Sequence, residues 1–399
     1  MSFDVAAVRA EFPALAAGAA HFDGPGGSQT PRVVARAIHD TLLSPIANRG
    51  TVTRAERNAE AIVAGARAAL ADLLGADPGG IVVGRSMTQL TFDIARTLAD
   101  SWSAGDEVVV SRLDHDANVR PWVIWAEKAG ATVRWIDFDP ESTELTPEHV
   151  AGQLTERTRL VAVTGASNLI GTRPDLAAIA DRVHGAGALL YVDGVHLAAH
   201  AGIDIAALGA DFFACSPYKF FGPHFGVLAA SPALLEKLLP DKLLPSSDAV
   251  PERFELGTLP YELLAGATAV VDFIAGLGGE LPGDRRQRIL ASMAVVDEHE
   301  DRLRQRIEAG VAELDTVTLH SRARHRTPTL LLTFADRSAA DAYRFLAELD
   351  VNAPAGSFYA YEPARRLGLA EGGLRVGLAP YNDDSDVDRL LDGLAKFVG

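Results

Sequence analysis

One cysteine, Cys215, stands among 399 residues. An intrachain disulfide needs two, so none is expected, and no cysteine cluster can hold a metal. That usage fits a reducing compartment, and a cytoplasmic location is the expectation. No stretch reaches about 20 apolar residues without a charge, so no membrane-spanning helix is expected. The first residues, MSFDVAAVRAEFPAL, carry acidic side chains early and no long apolar run, unlike a signal peptide. Basic residues are outnumbered, 37 against 53 acidic, giving a formal charge of −16. Such a surface repels phosphate backbones and anionic lipid, which argues against nucleic-acid and membrane partners. Repeats and low-complexity tracts are absent. So are HxH, HExxH and clustered acidic patterns, and no metal site is expected.

What is present is an ordinary globular composition, 48% apolar and 23% charged, in a chain long enough for more than one domain. Residues 58–74 place Ile62, Ala66, Ala69, Leu70 and Leu73 at helical spacing, and Gly75 ends the pattern. From there to residue 230, short apolar runs alternate with helical stretches: IVVG, EVVVS, TVRWID, RLVAVTGAS, ALLYVDG and DFFACS. Most are apolar on both faces, as in buried parallel strands. The alternation predicts an open α/β sheet with helices on both faces. After about residue 270 the character changes. A long charged helical pattern (284–314) precedes TPTLLLTF, SAADAYRFLAEL, LRVGLAP and DSDVDRLLDGLAKFV, which predict a smaller α+β unit. The expected division is an N-terminal segment at 1–30 packing with the smaller unit, a large domain at 31–270 and a small domain at 271–399.

Open α/β sheets bind ligands at the carboxyl ends of their strands, so the residues following each strand matter most. IVVG is followed by RSMTQLT, a hydroxyl-rich turn opening a helix, where the free N–H groups of Met87 and Thr88 can hold a phosphate. EVVVS leads to His115, RLVAVTGAS to Asn168, ALLYV to Asp193 and His196, and DFFAC to Ser216 and Lys219. Lys219 sits between Tyr218 and two phenylalanines, unusual company for a lysine. Singly, each residue has a plain explanation: Asp193-Gly194 reads as a turn, a lone histidine as a satisfied polar group, Lys219 as a surface residue. Together on successive strand ends they match pyridoxal phosphate. A lysine amine condenses with its aldehyde, a carboxylate keeps its pyridine nitrogen protonated, an imidazole stacks on the ring, and a helix N-terminus binds the phosphate.

In this combination the chain resembles the class V aminotransferase family of fold type I pyridoxal-phosphate enzymes, and within it the group II cysteine desulfurases. The likeness runs from HFDGPGGSQTP (21–31) to LRVGLAPYNDDSDVDRLLDGL (374–394). It implies a mainly parallel seven-stranded-type sheet in the large domain. DHDANVRPW resembles the family's histidine motif, so His115 would stack on the cofactor ring. In SNLIGT, Asn168 would lie near the cofactor oxygen or substrate carboxylate. In YVDGVH, Asp193 would pair with the pyridine nitrogen, while His196 replaces the desulfurases' glutamine and would bond the phenolic oxygen. SPYK resembles the Schiff-base motif, with Ser216 and Lys219. In FELGT, Gly257 and Thr258 would reach the phosphate of the other subunit, which implies a homodimer with shared active sites. Arg375 in GLRVGLAPYN would bind the substrate carboxylate, and Gly27 of GPGG would let the backbone approach it.

The departures bear on the reaction. Desulfurases carry a histidine where this chain has Tyr218. They also carry a nucleophilic cysteine on the loop before the carboxylate arginine; here that loop, GSFYAYEPARRLGLAEGG (356–373), has none. Cys215 falls in a core strand and reads as a small buried hydrophobe. Phe358, Tyr359 and Tyr361 either line a substrate pocket or pack. Arg49 or Arg54, in an arginine-rich loop, is expected to touch substrate or phosphate, and the basic run after His320 reads as a solvated face. The expected activity is C–S or similar side-chain cleavage of a cysteine-like amino acid, with Lys219 as general base. Transamination and epimerisation are the alternatives within the class. A catalytically silent cofactor-binding scaffold is the alternative outside it.

Overall fold

The computed structural model describes residues 3–399. A seven-stranded sheet organises the larger part. Across it the strands run Ile81–Gly84, Gly226–Ala230, Phe212–Cys215, Leu189–Asp193, Thr158–Thr164, Glu107–Ser111 and Thr132–Ile136. β-Branched and other apolar residues dominate these segments, as both faces of the sheet are covered. The sheet is mainly parallel, as expected, and Gly226–Ala230 is antiparallel to both of its neighbours. Only ten residues separate it from Cys215, too few for the crossover a parallel return requires. TVRWID is the strand that departs from the pattern of burial on both faces. It forms the sheet edge, and only Ile136 of that strand is buried.

Two apolar cores flank the sheet. Helices Arg54–Leu74, Leu176–Gly185 and Tyr261–Gly276 contribute to one, and helices Met87–Ala99 and Arg120–Ala129 to the other. The Arg54–Leu74 helix opens on a capping box between Thr53 and Glu56 and ends at left-handed Gly75. A third core lies under a four-stranded antiparallel sheet, ordered Ala355–Gly356, Gly373–Gly377, Thr329–Phe334 and Val317–Leu319. Helices Arg285–Ala312 and Asp384–Val398 pack on it. The N-terminus joins this smaller layer: Ala20–His21 pairs with Val351–Asn352, and the Arg9 guanidinium donates to Tyr381 O and Asp386 Oδ2. No helix of the described residues is long and apolar enough to cross a membrane.

A buried cation fastens the elements that lead to the site. Arg67, 7% exposed, donates to Ile81 O at 2.8 Å, Glu255 Oε2 at 2.8 Å and Glu252 Oε1 at 3.2 Å. Glu255 in turn accepts from Val83 N at 3.0 Å. Burial raises the Glu255 pKa, and Arg67 opposes that rise. Replacing Arg67 by Met strands a buried carboxylate, and a loss of about 3 kcal/mol is expected, read from the first urea-unfolding transition at pH 7. Because the folded-state pKa of Glu255 is raised, the deficit should shrink as pH falls and the carboxyl protonates.

Candidate active site

Loops at the carboxyl ends of five strands meet in one cleft. Short-range chemistry shapes each loop. Ser86 caps the Met87–Ala99 helix, its Oγ accepting from Gln89 N at 3.1 Å. The amides of Met87 and Thr88 are left without intrahelical partners at the cleft. Gly226 makes this possible, because a Cβ there would lie 2.2 Å from the Ser86 carbonyl carbon and 2.4 Å from Met87 N.

Beyond strand Glu107–Ser111, Asp114 is buried and anchors the turn. Its Oδ1 accepts from Asn118 Nδ2 at 2.7 Å, its Oδ2 accepts from Ser111 Oγ, and Asn118 accepts from Trp122 Nε1 at 3.0 Å. This holds His115, whose Nδ1 accepts from Ala117 N at 3.0 Å, so the neutral ring carries its proton on Nε2. Burial, then the Lys219 charge, lowers the His115 pKa to about 4. Asp193 ends its strand with Oδ1 accepting from Val195 N at 3.0 Å, and burial raises its pKa to about 6. Burial raises Asp114 to about 8, with the Asp193 charge adding to the rise. At pH 7 the pair therefore keeps one main negative charge, on Asp193.

Lys219 follows the buried strand Phe212–Cys215 and a single turn of 3₁₀ helix. Its Nζ donates to Pro25 O and lies 5.3 Å from the Tyr218 ring centroid. Burial lowers its pKa to about 7, helped by the Arg375 charge and opposed by Asp193. Arg375, 2% exposed, donates from Nη1 to Asn168 O at 3.0 Å and sits 3.6 Å from the Phe358 ring centroid. A side chain at Gly26 would crowd its guanidinium, with Nη2 only 3.2 Å from a Cβ there.

The predicted residues thus divide. Met87, Thr88, His115, Asn168, Asp193, His196, Ser216 and Lys219 line the cleft, and Arg375 closes its outer side. Gly27 adjoins it through Tyr218, whose ring lies 3.4 Å from where a Cβ would stand. Gly257 and Thr258 do not join them; Thr258 faces a separate depression beside Arg85 and Leu256. His196, at the cleft wall, directs Nε2 to Thr329 Oγ1 at 2.8 Å and Thr327 Oγ1 at 3.0 Å. Arg49 is corrected: it is tied to Glu60 and Glu252, each at 2.9 Å, and Arg54 is exposed at a helix start. Sequence reasoning passed over Asp114, although it stands directly before His115. It also passed over Thr327 and Thr329, which carried no signal inside a basic run.

A family model, Aminotransferase class-V, matches residues 20–390. The chain belongs to the class-V aminotransferase family. It is similar to an uncharacterised protein of Mycobacterium tuberculosis, 32% identical with both chains fully covered. An aminotransferase-like protein of Gibberella zeae is 32% identical over all of this chain and 99% of its own. The crystal structure of an Escherichia coli cysteine desulfurase in an S-sulfonic acid form matches with a TM-score of 0.87 at 28% identity, covering 99% of this chain and 98% of that one.

Family members are enzymes that depend on pyridoxal phosphate, and the residues here fit that group. The cleft offers a desolvated amine, a carboxylate, a neutral imidazole and a helix N-terminus. Two buried polar atoms at its outer side, Asn168 Oδ1 and Arg375 Nε, have no partner among the described residues. The lowered Lys219 pKa makes a pH prediction. Covalent uptake of pyridoxal phosphate by apoprotein, followed by absorbance, should rise through about pH 7 as the amine loses its proton. Arg375→Gln should move that midpoint upward, since it removes a cation that disfavours the protonated amine.

Proposed function

We propose that the enzyme cleaves the side chain of a cysteine-like amino acid by β-elimination, with Lys219 as the proton-moving base. One observation carries this reading: a buried amine with a pKa of about 7 faces a cleft whose described residues include no thiol. The only cysteine, Cys215, is fully buried in its strand, and burial pushes its thiol pKa up. It offers no nucleophile to accept sulfur.

The bound cofactor supplies an electron sink for the substrate α-carbon. The protein does the rest. Arg375 has one nitrogen committed to Asn168 O, which leaves the Nε–Nη2 edge for a bidentate grip on the α-carboxylate. Neutral Lys219 removes the α-proton. Asp193, ionised at neutral pH, would hold the cofactor's pyridine nitrogen in its protonated form. His115, neutral, presents a ring face rather than a charge. The balance is RS–CH₂–CH(NH₃⁺)–COO⁻ plus water giving RSH, pyruvate and ammonium. The C–S bond breaks, Lys219 takes the α-proton, and the departing sulfur gains one.

The likeness to an aminotransferase-like relative favours transamination as the second reading. A homodimer is part of the first. Thr258 lines a depression apart from its own cleft, beside the exposed Leu256, a position from which it would reach the phosphate of a second copy.

Product analysis with S-methyl-L-cysteine and with L-cysteine tests the reaction. Pyruvate and thiol without alanine are expected. Alanine plus sulfide from L-cysteine would assign desulfuration instead, and keto-acid-dependent amination would assign transamination. Lys219→Ala should lower turnover at least about 100-fold while Arg375 still binds substrate, so kcat falls far more than KM rises.

A further inference from the structure

The cleft continues past Arg375. It widens into a groove whose wall includes Phe92, Phe358 and Tyr359. That groove runs into an outer depression, because Asp116, Arg120, Phe358 and Tyr359 line both. A cysteine side chain, one methylene and one sulfur, fills little of such a passage.

The wall is held in place. Phe358 packs against the Arg375 guanidinium, and Tyr359 stacks on His115 at 5.6 Å between centroids. Both have left-handed backbones, φ 53° and 58°, rare for aromatic residues. Their carbonyls are latched across the cleft: Asn168 Nδ2 donates to Phe358 O at 3.0 Å, and Asp116 N donates to Tyr359 O at 2.8 Å.

Charge at the far end is unequal. Asp116 pairs with Arg120 at 3.0 Å, and Glu362 pairs with Arg112 at 2.7 Å. Arg365 has no carboxylate partner among the described residues. Its guanidinium lies 5.3 Å from the Tyr361 ring centroid, and its Nη1 donates to the Tyr361 hydroxyl at 3.1 Å. An oriented, uncompensated cation therefore closes the groove of a protein with a formal charge of −16.

We infer that this groove binds the side chain of an amino acid larger than cysteine, one that ends in a second carboxylate. Phe358 and Tyr359 pack along its middle and Arg365 pairs with its end. The inference rests on the reading of the cleft as an amino-acid-cleaving site and adds the substrate class.

Two probes of equal shape test it, S-(2-carboxyethyl)-L-cysteine and its neutral amide, S-(2-carbamoylethyl)-L-cysteine. The readouts are the half-saturating concentration for the change in cofactor absorbance and kcat/KM for thiol release by the holoenzyme. The acid should be preferred about tenfold. Arg365→Gln should erase that preference by weakening the acid far more than the amide, and Arg365→Lys should keep part of it. Equal handling of both probes by the wild type would overturn the subsite and leave the cleavage reading standing. A preference that survives in Arg365→Gln would overturn it too. If neither probe perturbs the cofactor spectrum, the subsite is overturned; the cleavage reading falls with it when S-methyl-L-cysteine also goes uncleaved.

Discussion

A primary amine acts as base or nucleophile only when neutral, and the surroundings of Lys219 favour that state. Burial removes the water that would stabilise the ammonium, and the Arg375 charge adds to the effect. Asp193 works in the opposite direction and keeps the amine from being silenced altogether. The fold has to supply three things for this balance: a strand that delivers Lys219 inward, a neighbouring strand that ends in Asp193, and a second layer that brings Arg375 across. The sheet order Phe212–Cys215 beside Leu189–Asp193 meets the first two. The third comes from the four-stranded sheet, through Gly373–Gly377. The N-terminal turn closes the arrangement, with Pro25 O receiving the amine.

The two buried carboxylates show how environment separates identical groups. Asp114 and Asp193 both lie deep beneath the cleft. Asp193 is near Lys219 and shifts only to about 6, whereas Asp114 faces a hydroxyl, an amide and a like charge and shifts to about 8. One is left to interact electrostatically, the other to hold a loop by hydrogen bonds. Removing Asp193 would ease the ionisation of Asp114, since the Asp193 charge adds to its rise.

Much of this was legible in the sequence because the informative residues follow short, contiguous apolar runs. His115, Asn168, Asp193 and Lys219 each sit within a few residues of a strand end, so locating the strand locates the residue. What escaped was set by distant partners. Nothing in TPTL tells that Thr327 and Thr329 will meet His196 across more than 130 residues. Arg49, expected at substrate or phosphate, is instead held by acids of which one, Glu252, is 203 residues away. The helix Tyr261–Gly276 was passed over because it is apolar nearly all round and leaves little amphipathic period to detect. The antiparallel strand Gly226–Ala230 reads like its parallel neighbours, and only the length of the preceding connection betrays it.

The paired left-handed residues at 358 and 359 have an evolutionary consequence. Glycine or asparagine would adopt those backbone angles at lower cost, and each strained residue gives up roughly 1 kcal/mol or more. The chain nevertheless places a phenylalanine and a tyrosine there, so the rings are retained against a stability gradient. Substitutions that relax the loop would therefore be tolerated by folding while reshaping the groove wall. A lineage descending from this protein could drift toward new substrates through this loop long before it risked losing the fold.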